Sequence, residues 1–308
     1  MDLNEIIKDV KAQRFGKTGY VALLGRPNTG KSTLLNTLLN RHLAAVSNKP
    51  QTTRKYLLGI LTDDDSQLLF LDAPGIHAAK LAIDEAMDES IKRVMEDADV
   101  VVCMIDPTRP PGAEDLLAAT CAEKAGKPTI LAVNKTDEAN REQIAENLRF
   151  YKEHLPDAPD VHIVALDREK VQALLDLIKS MMPEGPFMYD ADELTDVYER
   201  DIASELIREV LLTELKQEVP HCIAVTIDSW KEHGERIAVE ATLNIEREAH
   251  KGIILGQGGK MIKHIRQLSQ MKISAFCGMK IDLKLFVKVV PDWRKRKQFL
   301  KDIKLMES

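Results

Sequence analysis

This sequence predicts a doubly wound α/β domain with a mixed, mostly parallel sheet, followed by a smaller α+β domain, and three observations carry the prediction. Apolar, β-rich runs alternate with helical stretches from Tyr20 to Met182. The first run opens directly into Gly25-Arg26-Pro27-Asn28-Thr29-Gly30-Lys31-Ser32, which fits G-x-x-x-x-G-K-[ST]. Beyond the turn-rich Pro183-Glu184-Gly185-Pro186 the order changes to helix, strand, strand, helix, strand.

The chain of 308 residues is long enough for two domains, and a hydrophobic content of 44% is ample for two cores. Cys103, Cys121, Cys222 and Cys277 show no metal-ligand spacing, a pattern that fits a reducing cytosol. Met1 to Glu5 include two acids and lead into no long apolar core, so neither a secretory signal nor a membrane-spanning helix is expected. The net charge of −6 is unevenly spread. Ile245 to Lys304 hold 15 Lys and Arg against 5 Asp and Glu, or +10, while the remaining 28 basic and 44 acidic residues leave −16. A basic end on an acidic body suits a chain of which one part meets a polyanion.

Taken in order, Leu3, Ile6, Ile7 and Val10 recur at helical spacing and predict a short amphipathic helix within an N-terminal arm, residues 1–17. Strands are expected at Tyr20–Leu24, Tyr56–Leu61, Gln67–Leu71, Val100–Ile105, Thr129–Val133 and Val161–Ala165. The second and third are too close for a crossover helix, so they should form an antiparallel hairpin. A helix at Lys170–Met182 closes the first domain, residues 18–182, and a linker is placed at 183–194. The second domain, 195–308, should hold a helix at Thr195–Gln217, strands at His221–Trp230 and Arg236–Glu246, a helix at Lys260–Met271, a strand at Ile281–Val290 and a basic C-terminal helix.

The glycine-rich stretch reads as a phosphate-binding (P-loop) turn at the start of a helix, whose free N–H groups face an anion. Gly25, Arg26, Pro27, Asn28, Thr29, Gly30 and Thr33 contribute to nucleotide binding, Lys31 neutralises the β- and γ-phosphates, and Ser32 ligates Mg²⁺. Asn134-Lys135-Thr136-Asp137 follows the run Thr129–Val133, at the sheet edge where a ligand should lie. The Asp137 carboxylate can accept from N1–H and the 2-amino group of guanine, which adenine lacks, and unpaired buried acceptors are expensive. GTP rather than ATP is therefore expected, with Lys135 along the base and Asn134 tying this loop to the phosphate loop. Leu68 to Leu71 lead into Asp72-Ala73-Pro74-Gly75, or D-x-x-G, in which Asp72 serves Mg²⁺ and the Gly75 N–H senses the γ-phosphate. Thr53, with Thr52 the second choice, should close over Mg²⁺ when that phosphate is present. Lys31, Thr53 and Gly75 are thus the expected catalytic set. Ile76 stands where many GTPases carry glutamine and cannot polarise water, so slow intrinsic hydrolysis is expected. His77 is a weak candidate base, and the Asn28 amide a candidate K⁺ ligand.

G-R-P-N-T-G-K-S, Q-T-T-R, D-A-P-G-I-H and N-K-T-D in this order resemble the Era GTPases, bacterial ribosome-assembly factors, over nearly the entire chain. The resemblance implies a P-loop GTPase domain followed by a type II KH domain that binds RNA. Gly256-Gln257-Gly258-Gly259 matches the KH G-x-x-G loop that clamps nucleic-acid backbone. Lys260 and Lys263 add charge, Ile253, Ile254 and Leu255 would floor the bases, Trp293 is either a core plug or a stacking platform, and Arg294 completes the RNA-binding set. The implied partners are the 3′ end of 16S ribosomal RNA and the 30S subunit, the cofactors GTP or GDP, Mg²⁺ and K⁺, and the implied state a cytoplasmic monomer, with peripheral contact at the inner face of the membrane as a further site. The family's fifth nucleotide element reads Ser-Ala-Leu or Ser-Ala-Lys, whereas this chain has Val164-Ala165-Leu166, which loses a bracing hydroxyl. A GTP-regulated membrane-surface or signalling scaffold is the competing class. An ATP-driven motor conflicts with Asp137 and with the single phosphate loop.

Overall fold

The computed structural model describes residues 14–49, 52–76, 82–216 and 219–306. The expected helix at Leu3–Val10, and His77, lie outside the described residues. The first domain runs β1 (Phe15–Leu24), α1 (Lys31–Leu39), β2 (Leu57–Thr62), β3 (Ser66–Asp72), α2 (Ala82–Asp97), β4 (Val100–Ile105), α3 (Ala113–Ala125), β5 (Thr129–Val133), α4 (Arg141–His154), β6 (Asp160–His162) and α5 (Gln172–Met181). Its sheet has the order β2-β3-β1-β4-β5-β6. Helices cover both faces, which is why β4, Val-Val-Val-Cys-Met-Ile, is buried at every position. Only β2 in this series runs antiparallel, paired with β3 as the short connection requires. Its turn is closed by Asp63, whose Oδ1 accepts from the Ser66 N–H at 2.8 Å and the Ser66 hydroxyl at 2.8 Å.

Up to residue 194, three elements differ from expectation. β1 begins at Phe15, so Phe15–Lys17, assigned to the N-terminal arm, belong to the sheet. β6 ends at His162 because the next residues bend toward the β5 loop, with the Thr136 hydroxyl donating to the Ile163 carbonyl at 3.1 Å. The segment read as a linker contains β7 (Glu184–Pro186), antiparallel to the start of β1. The buried Gln67 side chain holds the backbone just beyond β7. Its Oε1 accepts from the N–H groups of Met188 at 2.6 Å and Tyr189 at 3.0 Å, and its Nε2 donates to the Tyr189 carbonyl at 2.8 Å. Farther on, the Ile60 N–H donates to the Leu194 carbonyl at 2.8 Å. Pro and Gly signal a turn in a sequence, but they do not reveal that a fully buried glutamine will catch the next backbone groups.

The second domain runs α6 (Glu199–Glu214), β8 (Ile223–His233), β9 (Arg236–Ile245), α7 (Glu248–Leu255), α8 (Lys260–Cys277) and β10 (Lys280–Val289), then a short turn and α9 (Lys297–Asp302). β9 lies between an antiparallel β8 and a parallel β10, the α-β-β-α-α-β arrangement of a type II KH domain. The Thr195–Gln217 helix is shorter than expected at its start. α7 was not anticipated, since it has eight residues and carries Gly252. Trp293 is a plug where the two domains meet. It is fully buried with Ile83 of α2, Ala224, Val290 and Leu300, and its Nε1–H donates to the Cys222 carbonyl at 2.9 Å.

Replacing Gln67 with Leu removes the partner of two part-buried N–H groups and a carbonyl, so a loss of about 1–3 kcal/mol is expected. Urea unfolding checks this, and an unchanged midpoint would refute the bracketing role of Gln67.

Candidate functional site

β1 delivers a loop that folds around Lys31. The ammonium is buried and donates to the carbonyls of Gly25 and Arg26, each at 3.1 Å. Burial pushes its pKa down to about 8, with the Asp72 charge pulling the other way. Beside it the Ser32 hydroxyl donates to Asp72 Oδ2 at 2.6 Å and lies 3.0 Å from Thr53 Oγ1, which is 3.5 Å from the same carboxylate oxygen. Thr52 turns away, its hydroxyl donating to the Lys49 carbonyl at 2.6 Å. Burial pushes the Asp72 carboxyl up to about 6, against the pull of Lys31 and the two hydroxyls. Asp72 Oδ1 is buried without a hydrogen-bond partner. Two hydroxyls and a carboxylate with an unused oxygen are hard ligands that fit Mg²⁺, and a buried ammonium beside them fits a phosphate.

D-x-x-G closes over this group. The Ile76 N–H donates to the Gly25 carbonyl at 3.2 Å, and Ile76 itself is buried in the cluster that holds Ala22 and Leu24. A Cβ on Gly75 would lie 2.8 Å from the Pro27 N and Cα, so only glycine lets the two loops meet.

The base side is organised by Asn134. Its Nδ2 donates to the Thr29 carbonyl at 2.8 Å, and its Oδ1 accepts from the Ala165 N–H at 2.8 Å. Three loops are thereby locked together. The Ala165 N–H is thus occupied by Asn134. The Lys135 ammonium reaches the Asn28 carbonyl at 3.0 Å and Asp106 Oδ2 at 2.7 Å. Burial of Asp106 would raise its pKa, but Lys135 and Thr108 hold it below the usual carboxylate range. Asp106 was missed in the sequence, although its place just after the buried β4 puts it at the same sheet edge as the other loops. Asp137 is exposed at the far end of a cleft of about 400 Å³, which is also lined by Lys31, Ser32, Thr53, Gly75, Val164 and Leu166.

Of two further loop residues, Arg26 stands differently from expectation. The Arg26 side chain lies beneath the phosphate loop, its Nε 3.1 Å from Asp115 Oδ1 and its NH2 donating to the Asp106 carbonyl at 3.0 Å, so it braces the loop and only its backbone faces the cleft side. The Asn28 amide nitrogen donates to the Asn48 carbonyl at 2.7 Å, which leaves the oxygen end for a cation.

In the second domain Gln257 and Gly258 are exposed at the start of α8, whose N-terminus has no side-chain cap, and Lys260 and Lys263 are exposed beside them. Gly256 has φ 67°, and a Cβ there would lie 2.9 Å from the Met261 N, so the loop turn needs glycine. Ile253 is 47% exposed and Ile254 fully buried, so only the first can meet a base. Trp293 is the plug described above and presents no face for stacking. Arg294 is paired with Glu246 at 2.7 Å, and that hydrogen bond raises its pKa.

The loops of this cleft and the exposed glycine turn define a P-loop GTPase domain joined to a KH domain. Residues 20–135 match the family described as 50S ribosome-binding GTPase, and residues 218–294 match the KH domain family. The chain is 40% identical to GTPase Era of Clostridium beijerinckii over 288 residues, 93% of this chain and 97% of that protein. It is 39% identical to GTPase Era of Thermoanaerobacter sp. over 289 residues, 93% of this chain and 96% of that one. Two solved structures are 32% identical and cover 94% of this chain and 99% of their own. One is a variant of Aquifex aeolicus Era bound to GDP·AlF4⁻, with a TM-score of 0.89. The other is Era in complex with MgGDPNP and nucleotides 1506–1542 of 16S ribosomal RNA, with a TM-score of 0.90. The chain belongs to the Era family of GTPases. As a member of that family it is a GTPase.

Gly75→Ala should push D-x-x-G off Pro27 and cut GTP turnover on the order of tenfold to a hundredfold, with GDP binding retained. Single-turnover hydrolysis beside GDP calorimetry checks it, and near-normal turnover would rule out the close approach.

Proposed function

We propose that this protein is a GTP-driven switch that engages the 3′ end of 16S ribosomal RNA through its KH domain during maturation of the 30S subunit. The observation that carries the reading is the cluster of Ser32, Thr53 and Asp72 with its unused carboxylate oxygen, in a chain that also presents an exposed G-x-x-G turn.

In this reading Ser32, Thr53 and Asp72 would hold Mg²⁺, which would supply positive charge to offset that of the phosphates. Lys31 exchanges its two carbonyl partners for phosphate oxygens, a stronger charge-assisted contact. The Gly75 N–H meets the γ-phosphate, and Thr53 stays in place only while that phosphate does. Asp137 reads the guanine edge, Lys135 lies along the ring, and the Val164-Ala165-Leu166 loop closes the far side. Ile76 supplies no group to orient water, and the Asn28 oxygen would hold a monovalent cation, whose charge would stabilise the transition state. Replacing K⁺ with Na⁺ at constant ionic strength should lower kcat on the order of tenfold, within the range of removing one electrostatic stabiliser. Equal rates in the two salts would remove Asn28 from the mechanism.

Backbone phosphates meet the uncapped start of α8 with Lys260 and Lys263, while Ile253 takes an apolar base face and Arg294 a neighbouring charge. The Era structure that holds nucleotides 1506–1542 of 16S ribosomal RNA supports this RNA as the ligand. The protein acts as a cytoplasmic monomer in this reading. Attachment to the inner face of the membrane would fall to the basic tail, since no helix among the described residues is long and apolar enough to cross a membrane.

Gly256→Asp should abolish binding to a single-stranded RNA of the 16S 3′ sequence and leave basal GTP turnover intact. For the unmodified protein, about four phosphate contacts give a slope near −3 for log affinity against log salt. Filter binding across a salt series checks both, and RNA affinity equal in the variant would overturn the KH assignment.

A further inference from the structure

Arg54 follows the switch threonine directly, yet its side chain belongs to the other domain. It is 4% exposed. One terminal nitrogen donates to the Ile223 carbonyl at 2.9 Å and the other to the His221 carbonyl at 2.8 Å, while the guanidinium carbon lies 5.5 Å from the Trp293 ring centre. The carbonyl between those two, that of Cys222, accepts from Trp293 Nε1. Three consecutive carbonyls at the start of β8 are therefore held by Arg54 and the ring it stacks on. The same loop is gripped twice more, by Arg208 of α6 donating to the Thr52 carbonyl and by Lys49 donating to the Leu215 carbonyl.

The chemistry of this grip matters. Arg54 is a buried cation whose direct hydrogen-bond partners are neutral carbonyls, and its Nε is buried without a partner. A charge desolvated on these terms is tolerable only when fork, carbonyls and ring are all in place. The contact is suited to release as a unit rather than to stretch.

We propose that Arg54 is a positioning residue for GTP hydrolysis: by bridging Thr53 to the Cys222 and Trp293 region of the KH domain, it makes the Mg²⁺-side position of Thr53 and the docking of that domain a single two-state element. This rests on the reading of Thr53 as a Mg²⁺ ligand. Reciprocity then requires that whatever favours the docked domain also favours the hydrolytic loop. Arg294, next in the chain to Trp293 and paired with Glu246, is a cation through which an RNA phosphate would exert that bias.

The chain has two tryptophans, Trp230 and Trp293, so Trp230→Phe leaves Trp293 as sole emitter. In that background Trp293 emission should differ between the GDP and Mg·GDPNP complexes. In W230F/R54A both nucleotides should still bind by calorimetry, but the difference should vanish. Turnover of R54A should fall on the order of tenfold to a hundredfold, with KM changed less than about twofold. An equal emission difference with and without Arg54, or unchanged kcat in R54A, overturns the proposal. No emission difference in W230F with nucleotide bound overturns it as well. A chain that gives no calorimetric GTP signal at all would bring down the nucleotide reading, and this inference with it.

Discussion

The two hydrogen bonds of the Asn134 carboxamide set the geometry on which everything at the cleft depends. One end holds the Thr29 carbonyl of the phosphate loop, the other the Ala165 N–H. Three loops that leave three different strands thus share one rigid point, and the distance from triphosphate site to base site becomes a property of the protein rather than of the ligand. Preorganisation of this kind lowers the entropy that binding must otherwise overcome. The same bond holds the loop that carries Val164 through the backbone of Ala165.

Beneath that frame the charges are poised for a guest. Lys31 is a buried ammonium satisfied by carbonyls, and Asp72 a buried carboxyl with an idle oxygen. Each is shifted toward its neutral form by burial. A phosphate and a divalent cation would relieve both at once, so ligand binding here would also settle an internal electrostatic tension. The neighbouring Arg26, by contrast, is fully answered by Asp115 and Asp106 and serves as foundation.

Much of this was legible in the letters because the nucleotide chemistry is local. The glycine-rich turn, D-x-x-G and Asn134 to Asp137 each follow an apolar strand, and α/β alternation places all three at one sheet edge. The hairpin of β2 and β3 followed from a connection too short for a helix. What escaped depends on contacts between distant residues. Gln67 catching Met188 and Tyr189 is a pairing over more than a hundred residues, and no local pattern announces it. The role of Trp293 was open in the sequence for the same reason: only packing against Ile83 and Ala224 decides that it is a plug. Ile253 and Ile254 look alike as letters, and the helical turn of α7 sends one outward and the other into the core.

The clasp of Leu194 by Ile60 has a mechanical meaning. From that anchored residue to Glu199, where α6 starts, five peptide steps remain, a reach of at most about 17 Å when fully stretched. A KH domain freed from its seat would therefore pivot on a short leash and could not drift off. Its docking surface would stay at an effective concentration in the millimolar range or above. Even a weak seat would then be refilled promptly, so a small energetic difference between nucleotide states is enough to set which way the domain faces.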